Sequence, residues 1–207
     1  DLLSNGRLEL GIGRGSTLIE PTAFESDYSV NRKQMEEVAY LLPRLWTEEN
    51  LTYSGEFYHF KDPITVVPRP LQSPYPPMWV AVSGPESLGF AERAGLGALN
   101  FAGPVRGDSG IPLDEEIRRF HQGERSQPAG RVINRAYATV APLLCLRNGA
   151  HARRVAGPAA YWYLMEKTPE LFFLPWLKQQ APSMERYMQL ARERLSSDIK
   201  PEQFTSD

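Results

Sequence analysis

The chain has 207 residues, 42% hydrophobic and 23% charged, an ordinary globular composition with room for one good core. Its formal net charge of −2 gives no footing for nucleic acid or an anionic membrane, and no apolar run reaches the ~18 residues a membrane span needs. A lone cysteine, Cys145, excludes an internal disulfide framework and fits a reducing compartment, so the expected location is cytoplasmic. The chain opens at Asp1 with neither methionine nor a signal pattern, so the true N-terminus is expected elsewhere.

Arg7–Gly13 reads as a short strand ending in glycine, with Leu8, Leu10 and Ile12 on one face. From about Val30 to Trp46 the apolar residues Met35, Val38, Leu41, Leu42 and Leu45 recur at helical spacing, and Pro43 is expected to kink that helix or end its regular part. Tyr53 to Pro77 is an aromatic, proline-rich excursion that cannot be central helix or central strand, with Ile64–Val67 as a possible extra strand. Met78–Val82 is an apolar run of strand length. Ser83-Gly-Pro-Glu86 then opens a helix that ends near Gly95. Leu96–Ala102 is a weaker strand. Pro112 begins a helix with Asp114, Glu115 and Glu116 in its first turn and Arg118, Arg119 and His121 in its last, an order that suits the helix dipole, and Gly123 stops it. Arg135–Leu146 is the strongest strand signal. After Gly149 the chain reads as helical to its end, with Met184, Tyr187, Met188, Ala191 and Leu195 forming a stripe behind a cap at Ser183.

Strand and helix alternate, which argues for a parallel sheet with helical crossovers. The principal strands number about four, and a closed (β/α)8 barrel needs eight, so the chain reads as half a barrel or a smaller open α/β domain.

Two segments carry candidate chemistry. Gly11-Ile-Gly-Arg-Gly15 sits where a strand hands over to a loop. Its glycines allow close backbone approach to a ligand and Arg14 offers a planar fork for a phosphate, although a tight turn with a surface ion pair explains the same residues. Ser83-Gly-Pro-Glu-Ser87 combines capping-box spacing at Ser83 and Glu86 with Pro85 in the first turn. It reads either as a well-capped helix or as an anion site at a helix N-terminus. His59, His121 and His151 are scattered without metal-ligand spacing, and structural roles are expected for them. Cys145 is expected to be a small buried hydrophobe within a strand, and most of the aromatic residues are expected in the core.

Several segments in order, from Leu3-Ser-Asn-Gly-Arg-Leu-Glu-Leu-Gly-Ile-Gly-Arg-Gly15 through Leu45–Glu49, Tyr53–Tyr58, Pro68–Pro70, Gln72–Trp79, Ser83–Ser87 and Ala91–Gly95, resemble the luciferase-like flavin-dependent monooxygenases. The match is strong over residues 1–102 and looser over 103–207, within a single incomplete domain spanning 1–207. The resemblance implies a (β/α)8 TIM barrel of which strands 4 to 7 are present, as Arg7–Gly13, Met78–Val82, Leu96–Ala102 and Arg135–Leu146, while strands 1 to 3 and 8 lie outside the chain. It implies cofactor binding by Arg14, Gly15, Ser83, Gly84 and Ser87 at the flavin phosphate, with Asn100 and Phe101 toward the isoalloxazine ring. It also implies reduced FMN and O2 acting through a C4a-hydroperoxide on a small, apolar organic substrate, a separate flavin reductase, and a dimer in the full-length form. The family's early-strand histidines have no counterpart here, so no catalytic residue is named. An F420-dependent oxidoreductase and a truncated, non-catalytic flavin binder are the alternatives.

Overall fold

The computed structural model describes residues 1–15, 24–27, 29–101, 112–140 and 143–162. The chain divides into two compact units. The first, comprising Asp1–Arg14, Asp27–Ala102 and Arg106–Val140, holds most of the described secondary structure.

That unit is built on a parallel sheet of β1 (Leu10–Ile12), β4 (Met78–Val82), β5 (Gly97–Phe101) and β6 (Tyr137–Val140), in the order β1-β4-β5-β6. The connections carry α1 (Asn31–Thr47), α2 (Pro85–Ala94) and α3 (Leu113–Gln122). An antiparallel hairpin of β2 (Leu51–Ser54) and β3 (His59–Ile64) follows α1. The chain is therefore an α/β protein with a parallel sheet. One sheet face supplies Met78, Val80, Val82 and Ala98, which bury against Ala39 of α1, Phe90, Ala91 and Ala94 of α2, and Phe120 of α3. On the opposite face Ala81, Leu99 and Val140 are exposed.

β1 is shorter than Arg7–Gly13. Pro77 has no N–H to give to the Leu8 carbonyl, which accepts from Gln72 Nε2 at 2.7 Å instead, and the ladder starts at Leu10 N–H on Pro77 O (2.9 Å). The extra strand of the proline-rich tract is His59–Ile64 and not Ile64–Val67. Pro63 is tolerated within it because the β2–β3 register slips between Leu51 and Tyr53, and a bulge needs no donor from every residue. α1 continues through the buried Pro43 to Thr47. Its last turn is held by Arg69, which donates from Nη2 to Glu48 O (2.8 Å) and from Nη1 to Leu45 O (3.4 Å).

β6 covers four residues of the expected Arg135–Leu146. Within the described sheet it pairs with β5, with Phe101 opposite Val140. Residues 143–146 lie outside any strand, and Cys145 is exposed rather than buried. α3 matches its expected bounds. Gly123 at its end is extended (φ −63) rather than left-handed, and it makes room for the Glu92 side chain of α2.

In the second unit the described residues include α4 (Gly149–Tyr161), whose start is capped by Asn148 Oδ1 accepting from His151 N–H at 2.9 Å. The expected stripe from Met184 to Leu195 and its cap at Ser183 lie outside the described residues. Among the described residues no helix is long and apolar enough to cross a membrane.

Candidate functional site

Parallel pairing sets the carboxyl ends of β1 and β4 side by side, with Ile12 opposite Val80. A Cβ placed on Gly13 would lie 3.4 Å from that of Ala81, so the chain leaving β1 runs against the end of β4. Arg14 leaves β1 there, exposed, and Ser83 leaves β4. A carboxyl edge where two strands hand over to helices is where open α/β architectures place ligands.

The turn after β4 is fixed by Ser87. Its Oγ accepts from the N–H groups of Ser83 (3.0 Å) and Gly84 (3.3 Å) and donates to Gly84 O (3.0 Å). The cap therefore sits one residue later than the Ser83/Glu86 spacing suggests. Gly84 is the N-cap, Pro85 takes the first helical position, and Ser87 makes the reciprocal bond expected of Glu86. Glu86 reaches outward to Arg32 Nη1. Gly84 is in extended backbone that any residue adopts, and a Cβ there would meet nothing within 4 Å. No neighbouring atom demands glycine here; it is a favoured N-cap and leaves the turn open to close approach of a ligand.

α1 brings two further residues that periodicity passed over. Asn31 Nδ2 donates to Arg14 O at 2.9 Å, which ties the first residue of α1 to the loop after β1. Arg32 donates from Nε to Glu36 Oε1 at 3.0 Å and pairs across to Glu86. Burial alone would lower the Arg32 pKa, but its hydrogen bonds to Glu36 and Glu86 outweigh burial and raise it, so the guanidinium stays charged. α1 opens with Asn31-Arg32-Lys33, no acidic side chain in its first turn and no side-chain cap. Cations at the positive end of a helix dipole oppose the local rule. That misplaced charge is the signal in the sequence that would have found Arg32.

Of the other expected site residues, Gly15 has φ +81, a left-handed conformation that favours glycine, and belongs to the second unit. Asn100 stands beside Val82 in the sheet register, on the face that meets α3. Its Nδ2 donates to Glu116 Oε1 (3.0 Å) and to the Tyr137 hydroxyl, which itself donates to Glu116. The structure thus gathers Arg14, Ser83, Gly84 and Ser87 at two adjacent strand ends, with Asn31 and Arg32 added. Asn100 lies at the end of the next strand, with its amide N–H turned into the sheet–helix interface.

His59 Nδ1 lies 3.4 Å from Ser54 Oγ on the hairpin, and the His121 ring packs 5.8 Å from that of Phe120. No group of three or more His, Cys, Asp or Glu able to hold a metal occurs among the described residues. Trp46 packs on Tyr75 (5.8 Å) and Tyr53 on Phe60 (5.6 Å), so these aromatics serve packing.

The sequence matches luciferase-like monooxygenases over residues 1–205. The chain belongs to that family. It is 38% identical over 104 residues to an F420-dependent glucose-6-phosphate dehydrogenase of Kineococcus radiotolerans, a match covering 49% of this chain and 30% of that protein. It is 36% identical over 97 residues to the oxygenase component of a flavin-dependent trigonelline monooxygenase of Acinetobacter baylyi, covering 46% and 26%. Among solved structures, a monooxygenase from Streptomyces bottropensis aligns with 33% identity and a TM-score of 0.47, covering 59% of this chain and 35% of that one. The chain spans less than half the length of the curated relatives it matches. As a luciferase-like chain it sits among oxidoreductases that depend on a flavin or on F420.

Proposed function

We propose that this chain supplies the phosphate-gripping part of a flavin-dependent monooxygenase that uses reduced FMN and O2 to oxidise a small, apolar organic substrate. The observation that carries the reading is the meeting of two helix N-termini with Arg14 at the ends of β1 and β4. One of the two, α1, has a basic first turn, and the N-cap glycine at position 84 leaves the other open to close approach. Helix geometry leaves the Glu86 and Ser87 N–H groups without an intrahelical acceptor, and Ser87 holds the turn that presents them. Arg14 and Arg32 supply the charge for a phosphate dianion. Glu86 is exposed enough to release Arg32 to such an anion at small cost. Gly15 and Asn100 complete the proposed binding set.

When bound, the reduced cofactor supplies the chemistry toward oxygen; the residues here hold its phosphate end and fix its position. All-parallel strands in sequential order, with α1, α2 and α3 packed on one face, favour a barrel over a doubly wound sheet, which carries helices on both faces. β1, β4, β5 and β6 are then strands four to seven of a single incomplete barrel domain, and Ala81, Leu99 and Val140 line its inner face. A separate reductase supplies the reduced flavin, and the full-length form is a dimer.

The second reading is an F420-dependent oxidoreductase, favoured by the 38% identity to the glucose-6-phosphate dehydrogenase. Both cofactors carry phosphate on a polyol chain, so one grip suits either. Titration with FMN and F420, followed by oxygen uptake with supplied reduced FMN, separates the readings. FMN binding with oxygen uptake is expected. A preference for F420 selects the second reading, and tight FMN binding without uptake marks a non-catalytic flavin binder.

A further inference from the structure

Asn31 is 7% exposed, yet its Oδ1 has no hydrogen-bond partner among the described residues. The orientation of its amide is fixed, because Nδ2 donates to Arg14 O at 2.9 Å and the flipped amide would set oxygen against oxygen. Asn31 is the first helical residue, one past the N-cap Val30, and the helix start carries no side-chain cap bond. The buried acceptor thus faces neither its own helix nor the loop it holds. Such groups are costly unless a donor reaches them.

A phosphate dianion is no such donor, since its oxygens are acceptors too. A hydroxyl is. Asn31 adjoins Arg32 in sequence and Arg14 in space, so the hydroxyl it needs lies next to the anion these arginines hold. We infer that Asn31 Oδ1 accepts a hydrogen bond from a hydroxyl of the polyol chain that carries the cofactor phosphate. The inference rests on the anion-site reading above. It makes Asn31 a recognition residue for the ribityl phosphate common to FMN and F420, indifferent to the ring beyond it.

The test uses flavin fluorescence to follow displacement of FMN by D-ribitol 5-phosphate, ethyl phosphate and inorganic phosphate. On the unaltered protein, ribitol 5-phosphate is expected to bind about tenfold tighter than ethyl phosphate, the worth of one buried hydrogen bond. Asn31→Ala is expected to abolish that advantage, bringing the two affinities to about the same value, whatever both ligands lose with the bond to Arg14 O. Equal weakening of both ligands in Asn31→Ala would show that Asn31 merely props the Arg14 loop, and overturns the inference. So does the absence of any polyol advantage on the unaltered protein, a comparison that needs no variant to fold. If no phosphate displaces FMN and Arg14→Ala leaves FMN affinity unchanged, the anion-site reading itself falls, a result distinct from phosphate binding without polyol preference.

Discussion

Two helix starts in the first unit follow opposite rules. α3 begins with Asp114, Glu115 and Glu116, charges that suit a positive helix end, and Glu116 also takes the hydrogen bonds of Asn100 and Tyr137. α1 begins with Asn31, Arg32 and Lys33, and buries an amide oxygen that nothing in the described chain satisfies. The amide N–H of Asn100 is taken by Glu116 and Tyr137; Asn31 is held by its amide N–H and has its oxygen left over. The contrast teaches where to look for function: local rules hold where a region exists to be stable, and fail where a ligand completes it.

The comparison breaks most visibly in the core beneath α3. Phe120 is fully buried and packs edge-on against Tyr137 (5.7 Å) with the Arg125 guanidinium 4.9 Å over its ring. Phe120→Ala is expected to destabilise the fold by about 3–5 kcal/mol in urea denaturation. Arg14→Ala acts on the other region: calorimetric titration is expected to show cofactor binding weaker by about 1.5–3 kcal/mol, the scale of a charge-assisted hydrogen bond. Unchanged affinity removes Arg14 from the site. Glu116→Ala strips an acceptor from both Asn100 and Tyr137 and should cost about 1–3 kcal/mol of stability. A variant that melts like the parent would dissolve the contrast between the two helix starts.

Gly84→Ala sharpens the same contrast, because a Cβ there meets open space. Stability should change by less than about 1 kcal/mol, because the lost N-cap preference of glycine opposes the gain from a stiffer unfolded chain, while cofactor affinity falls. The smallest effect belongs to the end of α1, where hydrogen bonding to Arg44 holds the Glu48 carboxyl below its usual range. A depressed pKa gives stability that is present above the ordinary carboxylate range and lost as pH falls through the lowered value. Both side chains are 43% exposed, so acid melts of Arg44→Ala should differ from the parent by less than about 0.5 kcal/mol.

The order of the four parallel strands and the helices between them, the bounds of β4 and α3, and the glycine-rich exit from β1 were legible in the sequence, because periodicity, dipole-matched charge and proline or glycine act over a few residues; the β2–β3 hairpin was not. So was the turn at Ser83–Ser87, though not which residue caps it: a serine hydroxyl three positions past Gly84 could be assigned only once Pro85 had fixed the first turn. What tertiary structure decided is everything set by a partner distant in the chain. β1 starts at Leu10 because Pro77 lacks a donor, and β6 finds its place beside β5 through a register of residues far apart in the chain. Cys145 is exposed within an apolar run, and Arg32 meets Glu86 across 54 residues of sequence. Local propensity writes the elements; hydrogen-bond partners and burial, which depend on residues far apart in sequence, decide where those elements end and which of their side chains are left for a ligand.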